Sequence, residues 1–152
     1  MKNNKGITLI ALVVTIIVLL ILAGVSIAML TGQNGILNKA SDAGEETAVA
    51  NAKEKVTLAI NEAITNYYDD NYTGTNESET PLSLYGAQKK ALEDISPKEE
   101  SGATITVGTE SVSEPKTIKV TIKYKTKLKV SGTLTEAEGN KAVFTWDTTA
   151  SE

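Results

Sequence analysis

Polar and apolar positions divide this chain into three regimes. From Ile7 to Leu30 runs ITLIALVVTIIVLLILAGVSIAML, 24 residues without a charge and broken only by Thr8, Thr15, Gly24 and Ser26. As a helix this stretch spans about 36 Å, enough to cross a hydrocarbon layer of about 30 Å. The three hydroxyls can return hydrogen bonds to carbonyls one turn back, so they do not argue against a membrane helix. A breaker cluster follows, Thr31-Gly32-Gln33-Asn34-Gly35, which ends or bends that helix.

From Ile36 to Tyr68 the apolar period changes to three and four. Val49, Ala52, Val56, Ala59 or Ile60, Ala63 or Ile64, and Tyr67 form one stripe, with Glu46, Lys53, Glu54, Lys55, Asn61 and Glu62 opposite. This predicts an amphipathic helix whose stripe packs on a later sheet. Ser41 with Glu45 and Glu46 is a local helix-start signal and allows a break near Gly44. Asp69 to Ser83 reads as a polar loop. Leu84, Tyr85, Ala91, Leu92 and Ile95 predict a short helix over Leu82–Ile95, stopped by Pro97, with a loop over Lys98–Gly102.

The last third alternates with period two. Thr104–Val107 is one strand. Ile118, Val120, Ile122, Tyr124, Leu128, Val130 and Leu134 mark two more, with a turn near Lys125–Lys127 and lysines at 119, 123, 125, 127 and 129 on the wet face. Those lysines suit solubility and edge protection better than a binding surface. Glu138-Gly139-Asn140 signals a hairpin leading into Ala142–Asp147, where Phe144 and Trp146 share a face. That face is expected to pack on Val49, Val56 and Ile60. The fold class is therefore α+β, a long N-terminal α-helix with a transmembrane half and an amphipathic half, packed on a small antiparallel β-sheet head. The organisation is 1–6 leader, 7–30 membrane helix, 31–68 soluble helix and 69–152 head.

Composition narrows the chemistry. The 152 residues include no Cys and no His, and all 15 basic residues are Lys. Disulfides, thiolate metal sites, serine triads and HExxH zinc sites are excluded. There is no P-loop or GxGxxG. Ser113-Glu114-Pro115-Lys116 satisfies S-x-x-K by letter, but Pro115 sits between strands rather than at a helix start. Asp69, Asn71, Thr73 and Gly74 match the first positions of a calcium loop, yet Thr80 stands where a bidentate Glu is needed, so a solvated turn is the better reading. Asn71-Tyr72-Thr73 and Asn76-Glu77-Ser78 are sequons, common by chance and meaningful only in a glycosylating host. No catalytic residue, cofactor or metal is expected, and the chain does not read as an enzyme. Two lysines lie in the leader, leaving 13 against 19 acids, a balance that disfavours direct nucleic-acid binding.

The remaining signal is the junction in front of the apolar run. Met1–Gly6 is a short basic leader with Lys2 and Lys5, which the positive-inside rule places in the cytoplasm. Lys5-Gly6-Ile7-Thr8-Leu9-Ile10 resembles the cleavage motif of type IV pilins and pseudopilins. The resemblance covers the leader, the apolar helix and its continuation, about 67 residues. It implies cleavage after Gly6 by a prepilin peptidase, N-methylation of the new terminus at Ile7, and anchoring in the lipid bilayer with the head outside the cytoplasm. It further implies a membrane assembly platform and packing with other pilin subunits into an extracellular helical filament through the N-terminal helix. Ile7, Thr8 and Ala11 would be the assembly residues. Two positions depart from the family pattern: Ala11 replaces its usual Glu, and Ala28 its frequent Pro. The function implied is a structural subunit of a type IV pilus-like or secretion pseudopilus-like filament. The alternative is a membrane-anchored extracellular binding module that does not polymerise. A secretory signal peptide is the rival for the N-terminus, since Ser26-Ile27-Ala28 offers small residues before Met29, but the apolar run exceeds a typical signal core.

Overall fold

The computed structural model describes residues 5–32, 35–73 and 83–147. The chain divides into two compact units, Met1–Gly44 and Glu45–Glu152.

In the first unit, α1 spans Lys5–Thr31. It begins two residues earlier than the expected membrane helix, so Lys5 and Gly6 belong to its first turn. The helix stops where the glycines are. Gly32 N–H still donates to the Ala28 carbonyl at 2.9 Å, and Gly35 N–H donates to the Gly32 carbonyl at 2.7 Å. The Asn38 side-chain amide donates to that same Gly32 carbonyl at 2.9 Å. A Cβ on Gly35 would lie 2.5 Å from the Leu30 carbonyl oxygen and 2.8 Å from that of Gly32, so this close turn requires glycine. The breaker cluster ends α1 outright.

Helix α2 spans Ile36–Thr73, 38 residues. It passes Gly44 without the expected break and runs five residues past Tyr68. Residues 69–73, expected in a loop, are therefore helical, while 74–82 lie outside the described residues.

The second unit is a two-layer head. Helix α3, Leu84–Asp94, starts two residues later than expected. Ser83 is its N-cap, its hydroxyl accepting from Gly86 N–H at 3.0 Å. The sheet has five antiparallel strands in sequence order: β1 Lys98–Glu100, β2 Ala103–Val107, β3 Thr117–Tyr124, β4 Lys127–Ala137 and β5 Lys141–Trp146. Strand β1 replaces the loop expected at Lys98–Gly102. Its three polar residues carry no alternation to read, and it exists because Ser101 and Gly102, both at positive φ, turn it onto β2.

One sheet face forms the core. Ala103, Ile105, Ile118, Val120, Ile122 and Leu134 are buried there, against Ala48, Ala52, Val56 and Ile60 of α2 and Tyr85 and Leu92 of α3. The helical stripe holds as read, with Ala48 added to it, and small residues at 48 and 52 bring α2 close to the sheet. Each fully buried Ile, Leu or Val contributes roughly 1.5–3 kcal/mol.

Two details differ from the period-two reading. The ladder shifts between Ile122 and Lys123: Ile122 pairs with Val130, while Lys123 pairs with Leu128. Lys129 is the extra residue of this bulge. The slip turns Leu128, expected in the core, to the outer face, where it is 53% exposed. It also turns Lys129 to the helix side, where its ammonium pairs with Glu45. The five lysines therefore do not share a face. Lys119 and Lys123 are on the outer face, Lys125 is in the β3–β4 turn at positive φ with its ammonium over the Tyr124 ring, and Lys129 is ion-paired.

The second detail concerns the aromatic pair. Phe144 and Trp146 face the helical side as expected and pack edge to face, ring centroids 4.9 Å apart, but both remain half-buried. Lys53 places its ammonium 5.1 Å from the Trp146 ring centre. Beneath the rings lies Gly132, paired with Trp146 across the ladder. A Cβ there would meet Phe144 Cζ at 2.6 Å and Trp146 Cε3 at 2.9 Å.

Candidate functional site

Helix α1 is the outstanding feature of the first unit. It has 27 residues and no charge after Lys5, and it is the one helix among the described residues long and apolar enough to cross a membrane. At 1.5 Å per residue it is about 40 Å long. Its large side chains are exposed on every side, from Leu9 at 64% to Leu30 at 46%. An apolar surface of this extent has no stable place in water and fits lipid or other apolar helices.

Three of its hydroxyls are satisfied within the helix. Thr15 donates to the Leu12 carbonyl at 2.7 Å, Ser26 to Leu22 at 2.7 Å and Thr31 to Ile27 at 2.9 Å. The backbone groups are paired along the helix and these three hydroxyls are folded back, as an apolar medium requires.

The residues singled out in sequence fall together at the start of α1. Gly6 and Ile7 occupy its first turn, Thr8 follows, and Ala11 lies one turn further on. Ala11 is exposed. The side chains of Gly6, Ile7 and Thr8 lie outside the described residues. No acidic residue occurs in the first turn, so this helix end offers no carboxylate to an amine.

In the head, the calcium reading does not hold. Asp69, Asn71 and Thr73 are helical, and Asn71 returns its amide to the Tyr67 carbonyl at 2.6 Å. A helix cannot supply the close, alternating ligands of a calcium loop. Gly74 and Thr80 lie outside the described residues. Among the described residues no three His, Cys, Asp or Glu side chains gather at a metal-holding distance.

An open cleft of about 360 Å³ lies between α3 and the β2–β3 connection, lined by Lys89, Glu93, Ser96, Val107, Gly108, Thr109 and Glu110. Lys89 donates to Glu110 Oε2 at 2.6 Å. This contact raises the Lys89 pKa and lowers that of Glu110. Ser96 accepts from Val107 N–H at 2.9 Å. Lys89 and Glu110 are thus bound to each other, and Ser96 to the backbone of β2.

Two polar features of the head were not legible in sequence. Gln88, in the middle of an amphipathic pattern, is 1% exposed, close in sequence to Tyr85 of the apolar set, which is buried as its spacing implies at 3% exposed. Burial, then the neighbouring Glu110 charge, raises the tyrosine pKa above its usual 10. Asn140 is the second feature. It sits at φ 59° in the β4–β5 turn, its side-chain oxygen accepts from Leu84 N–H at 3.1 Å, and its amide donates to the Tyr67 hydroxyl. It thus fastens the end of α2 to the start of α3. The turn signal Glu138-Gly139-Asn140 predicted the hairpin and not this clamp.

Comparison of the chain with family models, with curated proteins and with solved structures gives no match.

Proposed function

We propose that this chain is a precursor subunit of a type IV pilus-like or secretion pseudopilus-like filament. It is cut after Gly6, held in the membrane by α1 and assembled through that helix, with the α+β head directed outward. The observation that carries the reading is α1 itself: an uncharged helix, exposed all round, that begins at a basic leader and a Lys5-Gly6-Ile7 junction. Lipid and neighbouring apolar helices solvate such a surface almost equally. Transfer from bilayer to filament core therefore involves little desolvation and is decided by packing.

Ala11 sets the mode of assembly. A carboxylate at this depth costs roughly 2.5–3.5 kcal/mol unpaired, which would drive it to the N-terminal amine of a neighbouring subunit. Ala11 removes both the cost and the attraction. The subunit can donate its own amine and offers no carboxylate to capture one. This suits a tip or initiating subunit. In a filament built wholly from such chains, a backbone carbonyl or Thr8 would have to receive the amine.

The test is the mature terminus and the destination of the protein. Mass spectrometry should find a chain beginning at Ile7, and Gly6→Val should leave the precursor uncut in the membrane. A terminus at Met29 identifies a secretory signal peptide and ends the filament reading. A chain cut after Gly6 yet missing from sheared filaments supports the membrane-anchored binding module instead.

A further inference from the structure

The two edges of the head sheet are unlike. Strand β1 is three residues long and reads Lys-Glu-Glu, short and charged as protected edges are. Strand β5 is six residues long and reads KAVFTW, with one charge at its start, no proline and no bulge. Among the described residues no strand pairs with its outer side.

The ladder fixes which backbone groups are open. Asp147 N–H donates to the Ser131 carbonyl at 2.8 Å, so the odd-numbered residues 141–147 turn their backbone groups to β4. Ala142, Phe144 and Trp146 therefore turn both N–H and C=O to the open side. These are also the residues whose side chains face the core yet stay half-exposed.

We propose that two copies of this chain pair through β5 as antiparallel strands, with Phe144 opposite Phe144 on the two-fold axis. This register joins open groups to open groups, Ala142 to Trp146 and Phe144 to its copy. It covers the exposed flanks of the Phe144 and Trp146 rings. On the outer face it sets Lys141 of each copy opposite Asp147 of the other, and Val143 opposite Thr145. Asp147 is already positioned there: Ser131 Oγ donates to its Oδ2 at 2.6 Å, and Thr133 Oγ1 lies 3.5 Å from its Oδ1. Lys141 has no residue of its own strand to pair with on that face, where Val143 and Thr145 follow it. A register shifted by one pair sets Lys141 opposite Thr145 and loses the charge match. The occupant is therefore a second head, selected by opposite charges at the two ends of one self-complementary strand.

The chain lacks cysteine, which permits a register test on the full protein in membranes. Val143→Cys and Thr145→Cys, carrying different tags and expressed together, are oxidised with copper phenanthroline and resolved without reductant. Both positions are exposed and leave the core untouched. Directly opposed residues are about 4.5–5.5 Å apart at Cβ and diagonal ones about 7–8 Å. The mixed Val143→Cys/Thr145→Cys dimer should exceed either like-with-like dimer. Lys141→Glu on both chains should lower its yield roughly tenfold, since two attractive pairs become repulsive. A dominant Val143→Cys dimer with itself, no cross-link, or a yield indifferent to Lys141→Glu would each overturn the proposal.

Discussion

Gly132→Ala tests how the head packs at its most constrained point. The added methyl would sit 2.6 Å from Phe144 Cζ, 2.9 Å from Trp146 Cε3 and 3.1 Å from the Thr145 carbonyl oxygen. One of these neighbours is backbone, and the two rings brace each other edge to face, so neither ring can retreat without losing the other. Overpacking of this kind costs about 1–3 kcal/mol. Replacing glycine with alanine in a strand returns about 0.5–1 kcal/mol, so the net loss should be up to about 2.5 kcal/mol. For a head of this size that lowers the melting temperature by up to roughly 10–20 °C. Trp146 is the only tryptophan, which makes its fluorescence a direct reporter of the site during unfolding in detergent. The same substitution in a Phe144→Ala background should cost less than half as much, because the nearest obstacle is gone. Equal cost in both backgrounds would refute the packing argument, since coupling between touching residues is what the distances require.

Asn140→Gly keeps the left-handed turn and removes both clamp bonds, so it should lose about 1–3 kcal/mol in denaturant unfolding, and Asn140→Ala should lose more because it also strains the φ of 59°. Raised pKa values at Tyr85 and Lys89 mean that the unfolded chain releases these protons first as pH rises. Head stability should therefore fall above pH about 10, and Tyr85→Phe should remove the earlier part of that fall in alkaline melting curves. The lowered Glu110 pKa gives the opposite sign: its contribution is present above the ordinary carboxylate value and is lost as pH falls below it, and Glu110→Gln should flatten that acid limb. Ala11→Glu should increase incorporation into sheared filaments if the amine lacks a good partner, measured by quantitative mass spectrometry against other subunits.

The sequence alone determined the features that depend on local periodicity and on medium. A 24-residue uncharged run is long and apolar enough to cross a membrane as a helix, the form in which a backbone satisfies itself where water is absent. The stripe through Val56 and Ile60 and the alternation through Ile118, Val120 and Ile122 likewise specify which faces are buried. The tertiary structure decided whatever depends on pairing between distant segments. Leu128 reads as core by parity, and only the bulge opposite Lys123 reverses it. Lys98–Glu100 has no strand pattern of its own and becomes β1 because β2 offers a free edge. Asp69–Thr73 looks like a loop by composition, and helix α2, once nucleated and packed, continues through it at small added cost. Asn140 carries a turn signal, while its partners Tyr67 and Leu84 are 73 and 56 residues away, a separation no local pattern encodes.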